Sequence, residues 1–282
     1  MKTYLDCYPC IVRQTINALK TNGATEKTQV KIMKKVLSML IKLKSEATPP
    51  EISYKIHSII KRESGLVDPY RNIKSRSTKE SLKLYPHLKR IVSESKDQLE
   101  TAIRISIAGN IIDLGVRDHY EDLSANLDRV LKQPFYINNL PQLKKRFSDS
   151  DKILFLADNA GETVFDRVLI EHLSLPSYYA VKEEPIINDA TMTDAKEAGL
   201  ENCAHLISNG TSAPGTILSM CSQEFLDIFN QSKLIIAKGQ ANYESLSCVG
   251  SNVFFLLQVK CPVLGKDLNA PVNSIVVAQA QE

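Results

Sequence analysis

The stretch Lys152 to Asp166, KILFLADNAGETVFD, places an aspartate and an asparagine at the end of a short apolar run. Asp158 and Asn159 are both oxygen donors, and a second carboxylate of the same kind, Asp189, follows in Asn188-Asp189-Ala190-Thr191. No histidine or cysteine stands beside them. Such a donor set suits a hard cation, Mg²⁺ or Mn²⁺, rather than a structural zinc. Lys238-Gly239 offers a cation next to accessible backbone, and the small-residue loop Ser208-Asn209-Gly210-Thr211-Ser212 offers N–H groups. Phosphate is held by both kinds of group. Together they describe phosphoryl transfer by charge neutralisation and positioning. A blander reading stands beside this one: Asp158 or Asn159 caps the next helix, and Lys238 is a solvated residue in a turn.

The elements that must position these residues come from periodicity. Ile153–Ala157 reads as a strand buried on both faces, and Val164, Phe165, Val168 and Leu169 return at helical spacing. Further short apolar runs follow at Tyr178–Val181, Leu206–Ile207, Leu234–Ala237, Val253–Val259 and Ile275–Ala278. Strands alternating with helices predict a mostly parallel, doubly wound sheet in an α/β fold. Most of these runs end in residues able to bind a charged ligand, and in a parallel sheet those ends share one edge. A right-handed crossover through a helix over Thr163–Leu173 sets the first two strands side by side. The loop Lys182–Asn188 must then fold back over the edge to deliver Asp189.

Before Lys152 the chain reads as helices. Helical stripes run over Cys10–Leu19, Glu26–Leu43, Glu51–Lys61 and Gln98–Leu114, with shorter ones at Ser124–Leu131 and Leu140–Phe147. Pro49-Pro50 is a break, Asp68-Pro69-Tyr70 a turn, and Pro86 an interruption of the helix over Ser81–Ser95. The expected division is a helical part, 1–150, and a sheet-containing part, 151–282.

Composition bounds the function. The 282 residues are 43% hydrophobic and 24% charged, ordinary for a globular protein. A net charge of +3 argues against a nucleic-acid or membrane-surface partner. No apolar run is long enough for a membrane helix, and the first residues lack a secretory core, so a cytoplasmic location is expected. The sequence is silent on oligomeric state. Neither Gly-x-x-x-x-Gly-Lys-Ser/Thr nor Gly-x-Gly-x-x-Gly occurs, which removes the usual support for a nucleotide kinase or a dinucleotide dehydrogenase. Phosphatases that use a strand-end aspartate as nucleophile carry a second aspartate two residues on, where this chain has Ala160. Of the six cysteines only Cys7 and Cys10 are close in sequence. Packing, a metal shared with distant cysteines, and redox chemistry all remain open for that pair.

Taken together the motifs resemble one family, the damage-control phosphatases, which are acidic-residue methyltransferase-1-like and were formerly the eighty-ninth domain of unknown function. The resemblance runs from Cys7-Tyr8-Pro9-Cys10 with Arg13-Gln14, typical of the prokaryotic branch, through Gly109-Asn110-Ile111-Ile112-Asp113-Leu114-Gly115 and Asp158-Asn159-Ala160-Gly161-Glu162. It continues through Asn188-Asp189-Ala190-Thr191, Ser208-Asn209-Gly210 and Lys238-Gly239-Gln240-Ala241-Asn242-Tyr243-Glu244. It implies a Rossmann-like three-layer α/β/α domain with a helical N-terminal subdomain. It implies a phosphatase dependent on a divalent metal ion (Mg, Mn, Co or Ni), acting on a small phosphorylated metabolite such as a sugar phosphate or a damaged phosphometabolite. By resemblance the metal is held by Asp158, Asn159 and Asp189, Lys238 lies at the phosphate, and Asn110 and Asp113 line the same pocket. Glu162, Asn188, Ser208 and Asn209 complete the expected substrate site, with Asp189 or Glu162 as the base that activates water. Two other functions are weighed against this one: a non-catalytic phospholigand-binding module, and a carboxyl methyltransferase, for which the chain has no Gly-rich cofactor signature.

Overall fold

The computed structural model describes residues 1–21, 23–43, 46–111 and 121–281. The first helices are α1 (Cys7–Thr21), α2 (Glu26–Ile41) and α3 (Pro49–Ser64), which pack through Ile11, Leu19, Ile32, Val36, Ile52 and Ile60. α2 and α3 are separate helices, as expected, but Pro49-Pro50 forms the first turn of α3 instead of lying before it. Thr48 and Glu51 form a capping box around the prolines, which need no N–H in a first turn. α4 (Arg71–Glu94) runs straight through Pro86, against the expected interruption. Leu88 and Val92, beyond the proline, are buried in the main core, and that burial offsets the lost backbone hydrogen bond. α5 (Gln98–Ile111) and α6 (Glu121–Lys132) follow.

Among the described residues one seven-stranded sheet organises the rest of the chain. Its strands are β1 (Phe135–Asn138), β2 (Ile153–Leu156), β3 (Ser177–Val181), β4 (His205–Ser208), β5 (Ile235–Lys238), β6 (Val253–Gln258) and β7 (Ile275–Gln279). The order is β1-β7-β6-β5-β2-β3-β4, parallel except for the antiparallel β6–β7 pair. β1 precedes residue 150, so both halves of the chain contribute to the sheet. The remaining helices are α7 (Leu140–Ser148), α8 (Thr163–Leu173), α9 (Met192–Glu197), α10 (Gln223–Gln231), α11 (Gly239–Leu246) and α12 (Pro262–Leu268).

Both faces of the sheet are covered, as the continuous apolar strands require. Along β2, Ile153 and Phe155 join a core with Ile103, Ile107, Phe165 and Leu169 of α5 and α8. Leu154 and Leu156 point the other way, into a core with Phe225, Phe229, Leu246 and Leu264 of α10, α11 and α12. Each such fully buried side chain contributes about 1.5–3 kcal/mol. From β2 the chain winds outward through β3 and β4, then crosses back to β5 on the opposite side of β2. In open α/β sheets ligands bind outside the strand ends at such a reversal, and here β2 ends just before Asp158 while β5 ends at Lys238.

Candidate active site

The chain after β3 folds back over the sheet edge. Asn159 and Asp189 form an isolated antiparallel bridge, and the Ala190 N–H donates to the Asp158 carbonyl at 2.8 Å. The Ala160 N–H donates to the Asn188 carbonyl at 2.9 Å. Asp158, Asn159 and Asp189 are thereby gathered at the end of β2. None of this is helix capping: Asn159 makes no side-chain cap bond to the 3₁₀ turn Ala160–Glu162, and the Asp158 carboxylate is engaged elsewhere. Ile187, just before Asn188, has φ 47°, an uncommon conformation for a β-branched residue and a mark of strain in the loop that carries Asp189.

The side chains form a dense polar cluster. Asn110 Nδ2, from the end of α5, donates to Asp158 Oδ2 at 2.8 Å and to Glu162 Oε1 at 2.7 Å. Asn159 Nδ2 donates to Glu162 Oε1 at 2.6 Å and to Asp158 Oδ2 at 3.3 Å. Lys238, fully buried, donates from Nζ to Asp166 Oδ1 at 2.6 Å, to the Ser106 carbonyl at 2.9 Å and to Glu162 Oε2 at 3.3 Å. Lys182 bonds the Gly215 carbonyl and stands 3.7 Å from Asp189 Oδ2. Gly239 follows Lys238 with φ 77°, and a β-carbon there would overlap the Asp158 carboxylate.

Among the described residues of this cluster the buried carboxylates outnumber the buried cations. Asp158, Glu162, Asp166 and Asp189 are buried, with Lys238 and Lys182 the buried lysines paired to them. Burial, reinforced by the charges of Glu162 and Asp189, pushes the Asp158 carboxyl well above its usual range. Burial also pushes Asp189 up to about 6, against the pull of Lys182. Burial raises Asp166 too, although Lys238 opposes it. Lys238 itself is raised, because Asp166 and Glu162 outweigh the burial that would lower it. Within this cluster two buried oxygens, Asn110 Oδ1 and Asp189 Oδ2, have no hydrogen-bond partner among the described residues. Buried acceptors without donors, beside carboxylates that resist ionisation, match what a divalent cation requires. Among the described residues no three His, Cys, Asp or Glu side chains are grouped as a metal would need. A cation here would therefore draw on amide oxygens as well as on Asp158 and Asp189. A cavity of about 30 Å³, lined in part by Asn110, Asn159, Glu162, Asn188 and Lys260, has room for an ion or a water.

A family model described as the damage-control phosphatase ARMT1-like domain matches residues 3–276. The chain belongs to the damage-control phosphatase ARMT1-like family. It is 35% identical to damage-control phosphatase PH1575 of Pyrococcus horikoshii over 284 residues, covering 98% of this chain and 97% of that one. A protein of Archaeoglobus fulgidus named damage-control phosphatase is 34% identical and covers 80% of each chain. The crystal structure of the Pyrococcus horikoshii protein, described as a DUF89 family protein, superposes with a TM-score of 0.91 over 99% of both chains, at 34% identity. These names support a phosphatase role for this member of the family.

Not every expected site residue of this damage-control phosphatase family member enters the cavity. Ser208 Oγ donates to Glu183, just beyond β3, and accepts from the Gly210 N–H, while Asn209 Oδ1 accepts from the Thr211 N–H. Asp113 lies outside the described residues. Lys238 does not line the cavity, and neither do Asp158 and Asp189, which lie in the polar cluster next to Asn110, Asn159 and Glu162. Lys260, at the end of β6, does line it, and among the described residues it makes no ion pair. The sequence signal for Lys260 is its place after a strand, like the other site residues. Asp166 carried a signal as well: it stands one helical turn after Glu162, a charge amid apolar Phe165, Val168 and Leu169. Cys7 and Cys10 lie in the first turn of α1, where burial raises both thiols. Among the described residues no helix is long and apolar enough to cross a membrane.

Proposed function

We propose that this protein is a divalent-metal-dependent phosphatase that hydrolyses small phosphomonoesters, such as sugar phosphates or damaged phosphometabolites. The observation that carries this reading is the cluster of buried carboxylates at the strand reversal, where Asn110 Oδ1 and Asp189 Oδ2 have no hydrogen-bond partner among the described residues, with Lys260 at the end of β6 lining the adjoining cavity. Asp158, Asn159 and Asp189 would hold Mg²⁺, Mn²⁺, Co²⁺ or Ni²⁺. When bound, such a cation neutralises phosphoryl charge and acts as a Lewis acid.

The chain's own residues supply the rest. Lys260, exposed at the rim, is the cation available to a phosphate oxygen. Of the two candidate bases, Glu162 already accepts hydrogen bonds at both oxygens, from Asn110, Asn159 and Lys238. Asp189, one oxygen of which has no hydrogen-bond partner among the described residues, is the less committed of the two to bonds within the protein and the better placed to take a proton from water. A larger cavity of about 280 Å³, lined in part by Tyr54, Lys61, Arg62, Tyr70, Glu184 and Ile187, borders the same loop and is of a size for the organic part of a metabolite. The reading extends to the fold: a Rossmann-like α/β/α domain, 151–282, joined to a helical subdomain, 1–150, that lends it β1 and Asn110. A panel of phosphomonoesters assayed with each metal tests the function. Absence of phosphate release from every substrate with every metal would favour a phospholigand-binding module instead.

A further inference from the structure

An ammonium group has three protons to donate, and the three of Lys238 meet the Ser106 carbonyl, Asp166 Oδ1 and Glu162 Oε2. Nothing is left for a ligand. Asp166 is equally occupied: Oδ1 also accepts from Ser106 Oγ at 2.7 Å, and Oδ2 from the Tyr179 hydroxyl at 2.9 Å. Beyond Lys238 the chain of bonds reaches Glu162, whose other oxygen takes the Nδ2 groups of both Asn110 and Asn159. Ser106, Asp166, Tyr179 and Lys238 are all buried, on α5, α8, β3 and β5, and water is excluded as a substitute partner.

We propose that Asp166 is a positioning residue for the phosphatase site: it fixes Lys238, Lys238 fixes Glu162, and Glu162 holds the amide nitrogens of Asn110 and Asn159, leaving their oxygens for a divalent cation. The proposal rests on the reading under Proposed function. It assigns Lys238 to the support of the site, and leaves the phosphate to Lys260. A pair kept for stability alone could end at Lys238, since a buried ion pair is often no more stabilising than apolar residues of the same volume. This one continues, bond by bond, to a candidate ligand. Partners that orient ligands in this way typically govern metal affinity or activity by tenfold to a hundredfold.

The test uses the full chain with Mn²⁺ as the probe. Asp166→Asn is compared with the parent by calorimetric Mn²⁺ titration, urea unfolding and steady-state kinetics. The expected result is an Mn²⁺ dissociation constant raised by about tenfold or more, kcat lowered by about tenfold or more, and KM nearly unchanged, because Asp166 touches no substrate. If that variant fails to fold, the pair Ser106→Ala with Tyr179→Phe decides, since it keeps every charge and removes only the two hydroxyls that hold Asp166. It is expected to weaken Mn²⁺ binding in the same direction. A folded variant with the parent's Mn²⁺ affinity and kcat overturns the proposal, as does a parent that binds no Mn²⁺. A parent that binds Mn²⁺ but hydrolyses no phosphomonoester sinks the phosphatase reading alone, and the titrations still decide the role of Asp166.

Discussion

Gly239 and Asp158 touch across neighbouring strands, with the glycine backbone where a β-carbon would collide with the Asp158 carboxylate. The glycine also has φ 77°. Gly239→Ala therefore meets two penalties, backbone strain of about 1–3 kcal/mol and displacement of Asp158. The variant should unfold at lower urea than the parent and lose phosphatase activity even where it remains folded. Parental activity in a folded Gly239→Ala protein would show that Asp158 can move without consequence.

Metal and proton should compete. Asp158 and Asp189 both have carboxyl groups raised in the fold, so the stability of their neutral forms is fully present below the ordinary value of 3.8 and is lost as pH rises, for Asp189 through about 6. Metal-free protein should thus lose stability over that window, and a divalent cation should restore it. At a hundredfold excess over its dissociation constant the gain is about 2.7 kcal/mol. Thermal unfolding in chelator and in Mn²⁺, from pH 5 to pH 8, checks this. An Mn²⁺ shift as large at pH 5 as at pH 8 would count against buried carboxylates as the ligands.

Lys260→Ala should raise KM and weaken inhibition by inorganic phosphate by roughly tenfold to a hundredfold, the equivalent of a charged hydrogen bond of about 1.5–3 kcal/mol. Mn²⁺ affinity should change little. An unaltered phosphate inhibition constant would return Lys260 to the solvated surface.

Glu244 supplies a pH dependence away from the site. Burial pushes it to about 7 from an ordinary 4.5, although Gln240 bonds it at 2.6 Å. Its contribution to stability is fully present below 4.5 and lost as pH rises through about 7. Glu244→Gln should flatten that part of the melting profile, so that the variant gains on the parent as pH rises from 5 to 8. Parallel profiles for the two proteins would be the contrary result.

Much of the fold was legible in the residues. The run Ile153–Leu156, the polar turn and the apolar helix beyond it define a crossover whose handedness is nearly fixed, so Asp158 and the loop carrying Asp189 had to meet at one edge. Local signals could not reveal β1. Only four residues long, it alternates buried and exposed positions and follows Pro134, so it reads as a loop until β7 is known. Nor could they reveal that Lys238 points inward. A lysine after an apolar strand reads as a surface charge, and only Asp166 and Glu162, on separate elements, make its burial affordable. Pro86 misled for the opposite reason: its local cost was visible, and the packing that offsets it was not.

The pairing of β1 with β7 has a consequence for synthesis. Gln279 N–H donates to Asn139 Oδ1 across 140 residues of chain, and among the described residues β1 pairs only with β7. At about 5–20 residues per second, the ribosome leaves β1 without its partner for roughly 7 to 30 seconds. During that time both of its edges are open to other chains, and β7, when it emerges, closes one of them.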